Sequence, residues 1–243
     1  MKASALVLLL LCSTALAATP RNALLDVSAD VLEPGESQVN VFWGQYSRGI
    51  LPGVQVSSHL TPILLTLLNV SAKAQVLNRP ELRVSVEGGA YWLAAGRLAS
   101  INAFAFPLAL RGSVPLSDNL QLNLGAGYQR LVLDAEKTSL NRNLIHAETS
   151  LVRSDANGAF MLIAKAPLLN LQRVRAEGVL GNRILEGTLA LDDVSSWSVM
   201  LVRDQLFDKS GHVRFGLGYR HRPGVLFLES LGPVMLTFDM YWR

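Results

Sequence analysis

Apolar and polar residues alternate with a period of two in several ten-residue stretches. Over 81–92, Leu82, Val84, Val86, Gly88, Ala90 and Trp92 share one phase, and Glu81, Arg83, Ser85, Glu87, Gly89 and Tyr91 share the other. Over 119–128, Leu120, Leu122, Leu124, Ala126 and Tyr128 oppose Asn119, Gln121, Asn123, Gly125 and Gly127. Over 212–221, Val213, Phe215, Leu217 and Tyr219 oppose His212, Arg214, Gly216, Gly218 and Arg220. The chain ends in the same code, with Val234, Leu236, Phe238, Met240 and Trp242 against Met235, Thr237, Asp239, Tyr241 and Arg243. Successive strand side chains point to opposite faces, so each stretch predicts a strand with one apolar and one polar face.

Weaker alternation predicts strands over 39–46, 145–153, 160–166, 174–180, 185–191 and 197–203. Gly181-Asn182, the run 155–158 and the run 208–211 have the chemistry of tight hairpin turns, and 113–118 reads as a slightly longer one. Pro107 interrupts the alternation of 103–110 and is expected at a bulge or strand end, because proline removes a ladder donor. Residues 54–76 predict one or two strands, and 224–232 an external cap or hairpin. The sum is ten to fourteen strands, with about twelve favoured because single-chain bacterial barrels carry an even number.

Hydrophobic residues make up 50% of the 243, yet no run of eighteen or so lacks polar groups, so spanning helices are not expected. Met1-Lys2, the apolar run 5–12 and Ala15-Leu16-Ala17 read as a secretory signal peptide. Cys12, the single cysteine, falls inside it; Leu11 stands before it where lipoprotein signals carry a small residue, so lipidation is not expected. The expected organisation is a signal over 1–17, a mobile lead-in over 18–37 ending in Glu33-Pro34-Gly35-Glu36, and one domain over 38–243. An exported, hydrophobic chain without a spanning helix has one route through lipid, a closed barrel that pairs every backbone group between strands. The predicted fold is therefore all-β, a transmembrane antiparallel up-and-down barrel. A soluble sandwich or lipocalin-like barrel would turn its apolar face inward, and the inner face here is too polar for a dry core.

The signal peptide, the hairpin series and the ending Phe238-Asp239-Met240-Tyr241-Trp242-Arg243 together resemble the bacterial outer-membrane β-barrel class. The resemblance implies a Gram-negative outer membrane, contact with its lipid, and recognition of the last strand by the barrel-assembly machinery through Leu236, Phe238, Met240 and Trp242. That class usually ends on an aromatic, whereas Trp242 is penultimate here. The Leu/Ala/Arg-rich composition and the Asp-x-Tyr-Trp-Arg ending also resemble small barrels of gliding and predatory deltaproteobacteria, some similar to outer-membrane subunits of a gliding-motility machine.

Catalytic chemistry is not expected. Ser57-Ser58-His59 is the nearest serine–histidine juxtaposition; Ser57 and His59 would share a face, and no third group marks an orienting partner. His146, His212 and His221 are isolated, and Asp192-Asp193 reads as a turn. No cysteine or histidine pair has metal-ligand spacing, and Gly125-Ala-Gly127 and Gly216-Leu-Gly218 lack the third glycine and following helix of a phosphate cradle. With a formal net charge of +3 and no Lys/Arg run, nucleic acid is not a partner. No enzyme, cofactor or metal is expected.

The remaining chemistry is the predicted lumen: Arg83, Glu87, Glu148, Lys165, Arg173, Arg175, Glu177, Glu186, Arg214, Arg220 and Asp239. Paired charges filling a narrow barrel imply a structural or interaction component of an envelope-spanning assembly. The alternative is a porin-like, anion-leaning channel lined by Arg173, Arg175, Arg214 and Arg220.

Overall fold

The computed structural model describes residues 27–41, 44–60, 63, 67–93, 101–135, 138–155, 157–180, 183–192, 197–208, 210–221 and 233–242. Their strands are β1 (Ser37–Asn40), β2 (Gln45–Leu51), β3 (Val54–His59), β4 (Leu67–Asn78), β5 (Arg83–Leu93), β6 (Ile101–Ser117), β7 (Leu120–Ala135), β8 (Thr138–Asp155), β9 (Gly158–Leu180), β10 (Arg183–Asp192), β11 (Ser198–Leu206), β12 (Gly211–Arg220) and β13 (Val234–Trp242). Twelve of them form a closed antiparallel up-and-down barrel. The ring shuts where β1 meets β13, pairing Val39 with Trp242 and Asn40 with Tyr241. β10 stands outside the ring: the lower part of β9, 158–165, pairs with β11, while its upper part, 171–180, pairs with β10.

The two ends of the barrel differ. At one, short connections join β2 to β3, β4 to β5, β6 to β7, β8 to β9 and β11 to β12, and β1 begins and β13 finishes there. We call this the turn end and the opposite one the loop end. β11, β12 and β13 have nine, ten and nine residues, the length that crosses a bilayer at a tilt. β6 to β9 run to 16–23 residues, so the wall rises on one side toward the loop end.

Strand boundaries differ from expectation where local chemistry intervenes. The predicted strand 39–46 is two strands, because the chain turns between Asn40 and Gln45 through Gly44, whose φ is 57°. The predicted strands 160–166 and 174–180 are one strand, β9, broken in phase by a bulge: His146 pairs with Pro167 but Ile145 with Leu169. The run 113–118 is mostly strand, since β6 continues to Ser117. Residues 54–76 hold two strands. Pro107 lies within β6 and pairs with Gln129 of β7, but the β5–β6 ladder lapses between Gly88–Leu108 and Tyr91–Ala105. That gap follows from proline lacking an N–H to give to β5. The predicted turn 181–182 and cap 224–232 lie outside the described residues.

The outer face is apolar and the inner face mixed. Outward residues include Phe104, Phe106, Leu108 and Leu110 on β6, Phe160 and Leu162 on β9, Phe215 and Leu217 on β12, and Leu236, 81% exposed, on β13. Inside, a small apolar core of Val152, Ala159, Met161, Ile163 and Val202 lies at the turn end. Toward the loop end the inner phases of β5 to β8 turn apolar again, with Tyr91, Leu93, Ala103, Ala105, Leu131, Leu133 and Leu140 buried. Between these zones the lumen is polar.

Candidate functional site in the lumen

Three polar clusters and one chain segment fill the described lumen. The first cluster bridges four strands. Arg111 of β6 lies 3.5 Å from Glu87 of β5 and 3.3 Å from Glu148 of β8, and Lys165 of β9 lies 2.6 Å from Glu148. Arg111 reaches Glu148 across β7 because Gly125 stands between them in register and puts no side chain in the way. Gly127 does the same one step on: a Cβ there would lie 2.3 Å from Cε1 of His146. The Gly125-Ala126-Gly127 motif thus serves as bare floor beneath lumen side chains, with no phosphate role assigned to it.

The second cluster joins β11, β12, β13 and β1. Asp204 is buried, with His212 Nδ1 2.7 Å from one carboxylate oxygen and the Tyr241 hydroxyl donating to the other at 2.7 Å. Arg214 Nε lies 3.5 Å from Asp204, and its guanidinium sits 5.0 Å above the Tyr241 ring. His212 stacks on the same Tyr241 ring, 4.7 Å away and nearly parallel. Asp239 accepts from the Asn40 side-chain amide. The buried Arg214 guanidinium has no hydrogen-bond partner among the described residues, so the nearby Asp204 carboxylate and the Tyr241 ring face are what offset its desolvation.

The third cluster lines the turn end. Asn123 accepts from Ser113 and Gln121 and donates to Ser150, linking β6, β7 and β8. Arg83 donates to Gln121, and Ser47, Ser57 and Gln55 bond one another on β2 and β3.

Across this third cluster lies the segment 27–32. The lead-in expected to be mobile is, over its described part, held inside the barrel: Val27, Ser28, Ala29 and Leu32 are at most 3% exposed. Ala29 N donates to Ser113 Oγ at 2.7 Å, and Leu32 N to Gln55 Oε1 at 3.1 Å. Lys73 Nζ donates to the Ser28 carbonyl at 2.8 Å, and Gln75 Nε2 to the Ala29 carbonyl at 3.4 Å. Asp30 pairs with Arg83 at 2.6 Å. Val27 packs into the apolar core on β8, β9 and β11, while Leu32 reaches β3, so the segment straps the turn-end mouth from wall to wall. The strap passes so close to β2 that a Cβ on Gly49 would lie 2.1 Å from the Glu33 carbonyl oxygen.

The predicted lumen residues are distributed unevenly. Arg83, Glu87, Glu148, Lys165, Arg214 and Asp239 lie on inner phases and enter the clusters above. Arg220 is half-buried at the loop end of β12. Arg173 is exposed: the bulge at Pro167 reverses the phase of β9, so that Asn170, bonded by Arg142 of β8, faces in instead. The side chains of Arg175, Glu177 and Glu186 lie outside the described residues. On β13, Leu236, Phe238 and Trp242 face out and Met240 is half-exposed in the same phase. Ser57 bonds Ser47 and Gln55, whereas the His59 ring lies against Tyr91, 3.4 Å from its hydroxyl. Residues that sequence reasoning missed include Arg111, Asp204, Lys73, Gln55 and the strap. Lys73 and Gln55 do carry a signal, each standing in the polar phase of an alternating stretch: Lys73 with Asn69, Ser71 and Gln75 against Val70, Ala72, Ala74 and Val76, and Gln55 with Ser57 against Val54 and Val56.

No protein-family model and no curated protein matches the chain. Function must therefore be read from the lumen itself.

Proposed function

We propose that the chain is an outer-membrane barrel of a Gram-negative bacterium, closed to solute flow, that serves as a structural or interaction component of an envelope assembly. Lipid is the surrounding that suits its outer face: contiguous apolar patches as broad as Phe104 to Leu110 together with Phe215, Leu217, Leu236 and Phe238 are rare on water-soluble monomers. No described helix is long and apolar enough to cross a membrane. In a barrel the strands do the crossing.

The observation that carries the closed reading is the strap, whose buried residues 27–32 span the turn-end mouth. Cross-strand charge clusters fill the lumen behind it, as side chains fill other small barrels. The channel reading has less support, because Arg173 faces outward and Arg214 is held by Asp204 over Tyr241. A part in gliding motility rests on the resemblance of composition and ending alone.

Planar-bilayer recording tests the reading, with electrical silence expected. Steady anion-selective openings that vanish when Arg214 and Arg220 become Ala would replace it with the channel.

A further inference from the structure

The strap is held in an unusual way. Among the described residues, the wall contacts from Ser113, Gln55, Lys73 and Gln75 engage main-chain N–H and C=O groups of the strap. Arg83 grips a side chain, that of Asp30. Main-chain groups are common to every peptide, so this part of the seat is indifferent to sequence. Selectivity comes from elsewhere. Ser28 and Ala29 are fully buried, which admits only small side chains; Val27 sits in the apolar core of β8, β9 and β11, and the fully buried Leu32 lies beside β3 at the other wall. Gly49 is the matching feature on the barrel, its missing side chain leaving the space through which the strap carbonyls pass.

We propose that the turn-end mouth is a peptide-binding seat, filled in cis by residues 27–32 and open to exchange with a partner's segment of the pattern apolar, small, small, acidic, any, apolar. The proposal deepens the interaction-component reading and rests on it. The exchange has a foothold at the Asp30–Arg83 pair, which is 28% and 27% exposed and so partly open to water, whereas Val27, Ser28 and Ala29 are not. The strap is also irregular chain outside the sheet, so releasing it breaks no ladder between strands.

The test uses the full chain with Cys12→Ser and a near-isosteric Ser28→Cys reporter, folded as judged by heat-modifiable gel mobility. The probe is a fluorescent synthetic peptide of residues 27–36. In the wild-type background, excess peptide should raise the thiol-labelling rate at position 28 several-fold. Asp30→Lys in the chain should weaken the cis strap and increase peptide capture. Gly49→Ala should abolish that capture, and Arg83→Glu should switch preference to a peptide carrying Lys in place of Asp30. A thiol that stays protected against excess peptide in every folded variant would overturn exchange. A thiol that becomes exposed without peptide capture would overturn the seat. Conductance recorded on the same samples separates the two readings: openings defeat the closed barrel, whereas failed capture defeats the seat alone.

Discussion

Arg214 on β12 stands directly across the ladder from Asp239 on β13, and the two side chains are 2% and 1% exposed. Asp204 flanks the same guanidinium from β11. Three ionisable groups from consecutive strands are thus buried together where the ring closes onto β1. Replacing Arg214 by Met removes the guanidinium beside Asp204 and across the ladder from Asp239, and losing one partner of a buried ion pair costs about 3–5 kcal/mol. The urea midpoint of the heat-modifiable form should fall accordingly. Adding Asp239→Asn should restore part of the loss, and a strictly additive double variant would show that the two do not interact.

Leu236 offers a direct test of the surroundings of the outer face. The third residue of nine-residue β13, it is 81% exposed and pairs in register with Leu217. In water, Leu236→Arg should be neutral. In lipid it should cost about 2–4 kcal/mol if it lies near the bilayer midplane. Refolding yields into phosphatidylcholine vesicles, compared for Leu236→Arg and Thr237→Arg, separate an outward penalty from a general one.

Gly158 opens β9 with φ of 147°, a conformation that residues with a Cβ rarely adopt, and a Cβ there would lie 2.0 Å from the Asp204 carbonyl oxygen. Strained backbone of this kind costs of order 1–3 kcal/mol before the clash is counted. Gly158→Ala should lower the urea midpoint and slow refolding of the β8–β9 hairpin, whereas Asn157→Ala in the same turn should do neither strongly.

The Arg203–Asp155 ion pair makes the opposite case. It is short, 2.5 Å, but Asp155 is exposed, and exposed pairs are screened by water and salt. Asp155→Ala should leave the urea midpoint unchanged within error at physiological ionic strength. A large shift would trace to the turn bond that Asp155 Oδ1 accepts from Asn157 N–H at 2.8 Å, and Arg203→Gln, which keeps that bond, tests the ion pair alone.

Where alternation runs unbroken, as in β12 and β13, the sequence reveals both faces and even the pairing of Phe215 with Phe238. It fails where something other than side-chain period sets the phase. The turn between β1 and β2 is hidden because Val39 and Val41 carry the apolar phase straight into it. The reversal in β9 is hidden because a bulge adds one residue without altering composition. The strap is hidden for a further reason: its main-chain groups do most of the binding, and main-chain chemistry leaves no mark on residue identity. Asp30 was its one legible contact, readable only once Arg83 was known to lie opposite.

The bulge at Pro167 also divides β9 into two regimes of sequence constraint. Below it, the inward residues Ala159, Met161, Ile163 and Lys165 answer to the packed interior and cannot change side without collapsing the lumen clusters. Above it, the strand projects past β11, pairing with β10 on that side while keeping β8 on the other. Insertions at the far end of β9 and in β10 rephase the projecting hairpin and spare the sidedness of β11 to β13. The barrel therefore carries a segment whose length and outward chemistry can diverge while most of its wall stays fixed.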